Sequence, residues 1–112
     1  MSALKIHVEV FIASRMLSQR QGSFTTEELR HEVERLFGDT RPGVNAHISA
    51  HCVANAPRSA QTVYNYLWRI ERGHLRTFDP VSDRPHPSRA DASFVPKAED
   101  VPPEYRHLAH WE

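Results

Sequence analysis

The residues of this chain best suited to contact a partner are arginines in its central part. Between positions 41 and 78 the sequence has five arginines and one acidic residue, Glu71. The arginines are Arg41, Arg58, Arg69, Arg72 and Arg76. A guanidinium carries a planar set of donors that fits phosphate oxygens, so this segment predicts contacts to a nucleic-acid backbone. Ordinary surface charge without a partner explains the same distribution equally well.

Two other residue types could carry chemistry. His47 and His51 stand four residues apart, a spacing that brings two imidazoles within reach of one metal ion on a helix. The residue after His47 is Ile48 rather than the glutamate of a zinc hydrolase helix, so we expect no metal site. Cys52 falls on the buried side of the same segment, which favours packing over nucleophilic chemistry.

No sequence motif points to catalysis. The chain has no glycine-rich phosphate loop, no Gly-x-Ser-x-Gly elbow and no dinucleotide fingerprint. Glu27 and Glu28 are adjacent acids, but their place at a helix start, where they favour the positive end of the dipole, explains them. We therefore predict a protein that is not an enzyme and that needs no cofactor.

Size and composition favour one small globular unit. The chain has 112 residues, of which 39% are hydrophobic and 25% charged, and no apolar run reaches the roughly 20 residues of a membrane span. The first residues lack the features of an export signal, and the single cysteine cannot form an internal disulfide. We expect a cytoplasmic protein without membrane contact. Its 14 basic and 14 acidic residues cancel, which counts against binding nucleic acid by bulk attraction.

Three helical segments are predicted in the first half. Apolar spacing indicates an amphipathic helix over residues 4–20, ended by Gly22. After a very short extended piece at Phe24, Thr25 and Glu28 form a capping-box pattern that begins a second helix, which Gly38 ends.

A third helix is expected from Val44 or Asn45. Its buried side then holds Val44, Ile48, Cys52 and Asn55, while its outward side is small and nearly uncharged. The outward residues are Ala46, Ala50, Val53 and Ala54, with His47 and Ser49 at the flanks. Such a surface suits base edges in a DNA groove and equally suits a neighbouring helix.

Residues 64–78 predict a β-hairpin with a turn at Glu71, Arg72 and Gly73. Aromatic and β-branched residues fill its arms, and three of the arginines lie along it. The alternative role for Arg69 or Arg76 is to cover the aromatic arm, stacking on Trp68, with no ligand present.

Residues 80–112 are rich in proline and predict a tail that ends in a short helix beginning at Pro103. Tyr105, Leu108 and Ala109 give that helix an apolar side, which must dock on its own domain, on a second copy or on another protein. We place a domain boundary between residues 79 and 80.

Several short motifs together resemble a known family. They are Phe-Thr-Thr-Glu-Glu at 24–28, His-Ile-Ser at 47–49, Cys-Val-Ala-Asn at 52–55, Tyr-Leu-Trp-Arg-Ile at 66–70, Arg-Gly-His-Leu-Arg at 72–76 and the closing segment 102–111. The chain resembles a poorly characterised bacterial winged-helix domain that occurs alone or beside HNH-type nucleases and restriction-system proteins. It is also similar to the helix-turn-helix module of restriction enzymes and eukaryotic chromatin proteins. The resemblance implies a DNA-associated module in restriction or defence; no nuclease motif accompanies it here.

These observations predict the α+β class and, within it, a winged helix-turn-helix of three helices and a C-terminal hairpin wing. The expected function is non-catalytic binding of double-stranded DNA, as a regulator or a restriction accessory, with a homodimer built on the first helix and residues 105–111. The expected contacts are Arg41, Asn45, His47, Ser49, Ala50, Arg58, Arg69, Arg72 and Arg76. The alternative is an adaptor that holds another protein through the third helix and the proline-rich tail.

Overall fold

A long helix passes through the middle of the fold in the computed structural model, which describes residues 4–38 and 41–109. This helix, α1, spans Ile6–Gln21, and Gly22 with φ of 80° ends it, as predicted. Residues 8–14 are all buried, which is two full turns. The prediction of an amphipathic helix is therefore wrong over these turns, because other elements cover α1 on every side.

The second helix begins as its sequence indicated. Strand β1 (Phe24–Thr25) leads directly into α2 (Thr26–Phe37). Thr25 Oγ1 accepts from the Glu28 backbone N–H at 3.0 Å, and Glu28 Oε1 accepts from the Thr25 N–H at 2.8 Å. This capping box satisfies two backbone donors at the start of α2, and the helix ends before Gly38, which has φ of 95°.

The third helical segment is short and irregular. One α-helical turn, α3 (Val44–Ala46), continues as a π-helical turn over His47–His51. Ile48 and Cys52 are buried here as predicted.

The outward side of the third segment is smaller than predicted. Val53 and Ala54 were expected to face outward, but both are fully buried. The chain leaves the helix after His51, so Val53 pairs with Leu67 as a parallel bridge and the Ala54 N–H donates to the Leu67 carbonyl at 2.7 Å. Helical periodicity therefore does not apply to these positions.

A three-stranded antiparallel sheet packs beside the helices and confirms the α+β class. Its hairpin consists of β2 (Leu67–Glu71) and β3 (His74–Thr77), joined at Arg72 and Gly73, where Gly73 takes φ of 77°. Strand order is β1-β3-β2, so the hairpin's second arm lies in the centre.

The first arm of the hairpin starts three residues later than predicted. The backbone N–H groups of Tyr66 and Leu67 both donate to the Cys52 carbonyl, and that of Asn65 donates to the Ser93 carbonyl. These bonds bend the chain before β2, so consecutive side chains Tyr66 and Leu67 can both be buried. A regular strand would have placed them on opposite faces.

The proline-rich tail packs on the rest of the chain. It forms short 3-10 turns at Pro87–Arg89, Ala98–Asp100 and Pro103–Leu108. The last begins at Pro103 as predicted, but it is a 3-10 helix. Trp111, which the prediction included, lies outside the described residues. The domain boundary between residues 79 and 80 stays a prediction.

The apolar side of the last 3-10 helix docks on its own chain. Leu108 joins the core around α1, and the Tyr105 ring lies 6.1 Å from that of Phe37. The apolar surfaces that the sequence offered to a homodimer are therefore used within one chain. The radius of gyration, 12.8 Å, matches the roughly 13 Å of a compact domain of this length.

Arg89 holds the tail to the third helical segment. Its side chain is fully buried and has no carboxylate partner among the described residues. Its donors reach five backbone carbonyls: Ala50 at 2.6 Å, Ala56 at 2.6 Å, Tyr64 at 3.0 Å, His51 at 3.1 Å and Pro57 at 3.4 Å. Two of these carbonyls belong to the end of the π-helical turn, where the negative end of the helix dipole favours a cation.

Over the described part of the chain, no helix combines the length and the apolar composition that crossing a membrane requires.

Replacing Arg89 should destabilise the protein strongly. In Arg89→Met the aliphatic stem is kept, but five inward-facing carbonyls lose their bond to the guanidinium, and we expect the free energy of unfolding to fall by about 3–5 kcal/mol. Urea denaturation monitored by circular dichroism measures this loss. The matched control is Lys97→Met at an exposed position, which should change stability by less than about 0.5 kcal/mol. Equal stability of the two variants would contradict this role for Arg89.

Candidate functional site

A groove separates the third helical segment from the hairpin. It is open to solvent, has a volume of about 550 Å³ and brings together residues that are up to 49 positions apart in the sequence. Its lining residues are Thr26, Ile48, Ser49, Arg69, Arg72, Gly73 and Leu75. Ile48 and Leu75 are buried and form an apolar floor, while the arginines and Ser49 form polar walls.

Arg69 is held in this groove by two neighbours. The Asn55 side-chain N–H donates to the Arg69 carbonyl, and the Asn55 side-chain oxygen accepts from the Arg69 backbone N–H, each at 2.9 Å. These two bonds resemble those that a residue of a neighbouring strand would form. The Arg69 guanidinium then donates through Nη2 to the Ser49 carbonyl at 2.7 Å. Since a guanidinium has five N–H donors, Arg69 keeps others for a ligand.

Arg72 stands at the hairpin turn and is exposed. Among the residues that the structure describes, neither Arg69 nor Arg72 forms an ion pair. Neither guanidinium is therefore held by a carboxylate of the described residues, and both add positive charge to the groove.

The other three arginines of the predicted set are engaged elsewhere. Arg41 Nη2 lies 3.0 Å from Glu9 Oε1, a buried carboxylate. Arg58 Nη1 is 3.6 Å from Asp91 Oδ1, and the same side chain donates to three backbone carbonyls. These arginines do not line the groove, so the expected strip of five uncompensated cations is not formed.

Arg76 fits the alternative role that the sequence suggested. It pairs with Asp83 through two bonds of 2.7 and 2.8 Å, and its guanidinium lies 5.4 Å from the centre of the Trp68 ring. This pairing is also what lowers the pKa of the Asp83 carboxyl below its usual value. Arg76 thus ties the hairpin to the tail.

The predicted contacts of the third helical segment are divided between two sides. Asn45 and Ser49 are exposed, and Ser49 lines the groove. Ala50 is half-buried, and its carbonyl is one of the acceptors of Arg89. His47 instead belongs to a cluster of rings outside the groove lining.

That ring cluster contains His7, His47, His51, Tyr64 and Tyr66. The His7 ring stacks on Tyr64 with centroids 4.1 Å apart, and its Nδ1 is 2.9 Å from the Tyr66 hydroxyl. The rings of His47 and His51 are 4.7 Å apart, and His47 Nδ1 lies 2.9 Å from the Gly43 carbonyl. Burial, aided by the neighbouring charges of His47 and Lys5, lowers the pKa of His7 to about 4.

In the described part of the chain, no three histidine, cysteine, aspartate or glutamate side chains group so that they could hold a metal ion. Cys52 is fully buried, and burial raises the pKa of its thiol well above its ordinary value. A buried neutral thiol is a packing residue rather than a nucleophile.

A row of three polar side chains escaped the sequence reasoning. His74 Nε2 lies 2.9 Å from Ser23 Oγ, and His74 Nδ1 lies 3.7 Å from Glu71 Oε1. The order of hydroxyl, imidazole and carboxylate is that of a hydrolase triad. However, the Glu71 side chain is 75% exposed, so water screens the electrostatic attraction between its carboxylate and the imidazole. We assign the row to fastening the segment before β1 to the hairpin.

Comparison with models of known protein families, with curated proteins and with solved structures found nothing that matches this chain.

The ring cluster should make stability depend on pH. His7 stays neutral in the folded protein down to about pH 4, whereas in the unfolded chain it takes up a proton below about 6.5. The contribution of His7 to the free energy of unfolding should therefore be constant above pH 6.5 and should decrease as the pH drops from 6.5 towards 4. Burial also lowers the pKa of His51, which adds to the same trend.

Urea denaturation of the wild type and of His7→Gln at several pH values between 7.5 and 4 measures this dependence. The glutamine can still bond Tyr66 but cannot titrate, so its loss of stability on acidification should be smaller. Parallel pH curves for the two proteins would show that His7 is not the group responsible.

Proposed function

We propose that this protein binds double-stranded DNA without catalysis, through the groove between the third helical segment and the hairpin. The observation that carries the proposal is that Arg69 and Arg72, neither of which forms an ion pair among the described residues, line one groove together with Ser49 and Gly73. Guanidinium groups in that position suit phosphate oxygens of a backbone that follows the groove.

The order of elements supports the same proposal. A helical segment stands beside an antiparallel hairpin, and the sheet order β1-β3-β2 places the hairpin tip next to the start of α2. In a winged helix the third helix enters a groove of the duplex and the hairpin lies along the backbone. Here the exposed side chains Asn45 and Ser49 are the ones available to base edges.

The interface of one chain is small. Two arginines in place of five predict weak binding and a modest dependence on salt, since each neutralised phosphate contributes about −0.9 to the log-log slope. Zero net charge adds no long-range attraction. Specific recognition of a site by this chain thus needs more contacts than the groove supplies.

A second candidate function is a protein adaptor. Three large apolar side chains are exposed in the described residues: Ile70 at 47%, Val81 at 84% and Phe94 at 44%. Ile70 lies in the hairpin and the other two in the tail, so they favour a partner that covers the tail. Absence of any binding to duplex DNA at low salt would leave this candidate as the better one.

Substituting the groove arginines should weaken DNA binding. We expect Arg69→Ala and Arg72→Ala each to lower the affinity for a random duplex about tenfold at low salt, because each removes a charged hydrogen bond to phosphate. Fluorescence anisotropy at several salt concentrations should give a log-log slope of about −2 for the wild type and about −1 for either variant. The matched control, Arg30→Ala on the exposed side of α2, should bind like the wild type. Equal binding by the wild type and by the variant that carries both Arg69→Ala and Arg72→Ala would refute the proposal.

Asn55 should influence binding only through Arg69. Asn55→Ala removes both bonds to the Arg69 backbone, so we expect a several-fold loss of affinity when Arg69 is present and almost none in the Arg69→Ala background. Anisotropy titrations of the four proteins in this double-mutant cycle measure the coupling, while urea denaturation follows stability separately. Additive losses would show that Asn55 does not position Arg69.

A further inference from the structure

A second concave surface lies where the tail meets the base of the hairpin. It is a cleft of about 260 Å³. Phe78, Pro80, Pro85 and Phe94 supply its apolar walls, and the rings of Phe78 and Phe94 are 6.4 Å apart. Phe94 is 44% exposed.

The cleft also carries two exposed charged groups, one of each sign, besides the buried Asp83 carboxylate, which pairs with Arg76. Arg84 lines it, is exposed and forms no ion pair among the described residues. Asp91 lines it too, with its side chain 85% exposed. The contact of Asp91 within the chain is to Arg58 at 3.6 Å, and an exposed pair of that length contributes little to stability.

We propose that this cleft joins two copies of the chain in a symmetric dimer. Under a two-fold axis the same patch is present on both copies, so each Arg84 meets Asp91 of the partner subunit and each Phe94 enters the cleft of the other copy. A patch that holds both an unpaired cation and an exposed carboxylate is complementary to itself. A partner surface that carries charge of a single sign would place a like charge opposite either Arg84 or Asp91.

Two further observations fit a second copy as the occupant. The chain has no net charge, so two copies do not repel each other as wholes. Val81, the most exposed large apolar side chain in the described residues, directly follows Pro80 of the cleft wall. The cleft and the groove at Arg69 and Arg72 share no lining residue.

Charge reversal tests the dimer. Sedimentation velocity of the whole chain between about 1 μM and 1 mM should show a monomer–dimer equilibrium in the wild type. Arg84→Glu and Asp91→Arg, each alone, place like charges opposite each other and should weaken the dimer at least about tenfold. The double reversal restores opposite charges and should recover association.

Phe94→Ser and Lys97→Glu complete the design. The first removes the apolar anchor and should weaken association without unfolding the chain, which circular dichroism verifies. The second reverses an exposed charge outside the cleft and should dimerise like the wild type. A wild type that stays monomeric, a single reversal that leaves association unchanged, or a double reversal that fails to recover it overturns the proposal. Normal association of Phe94→Ser would also overturn the proposal.

Discussion

The fold depends on a buried cation that forms no ion pair with a carboxylate of the described residues. The Arg89 guanidinium lies among five backbone carbonyls that come from the third helical segment, the loop after it and the approach to β2. Removing a charge from water is costly, and several short hydrogen bonds to oriented dipoles compensate that cost. The arrangement works only when all these segments are in place, so Arg89 makes their positions depend on one another.

This dependence explains the shape of the third helical segment. The carbonyls of Ala50 and His51 accept from Arg89 as well as from the backbone N–H groups of Val53 and Tyr64. The chain then leaves the helix, and Cys52 accepts the N–H groups of Tyr66 and Leu67. The short helix and the late start of β2 both lie at this contact with the tail, where Arg89 binds the carbonyls of Ala50, His51 and Tyr64. That contact also limits the outward surface of the segment to the side around Asn45 and Ser49.

Ion pairing decides which arginines remain available to a ligand. The sequence has equal numbers of acidic and basic residues, and the fold uses acids from α1 and from the tail to compensate Arg41, Arg58 and Arg76. Their partners are between 7 and 33 positions away along the chain. Arg69 and Arg72 differ because they sit beside the hairpin turn, where Glu71 is directed towards His74. Local charge counts thus located the positive region but overestimated its size.

Local chemistry was sufficient wherever neighbours along the chain decide the structure. Thr25 and Glu28 determine the start of α2, and glycines 22, 38 and 73 mark the ends of two helices and the turn of the hairpin, because only a residue without Cβ takes those backbone angles at little cost. The sequence alone therefore established the α+β class and the order of elements. Tertiary structure decided that α1 is enclosed, that the tail covers its own domain, and that two arginines rather than five face the groove. Those outcomes depend on contacts between residues that are not neighbours in the sequence, such as Arg89 with Ala50 and Arg76 with Asp83. The desolvation and pairing energies of such contacts produce no periodic pattern in the sequence.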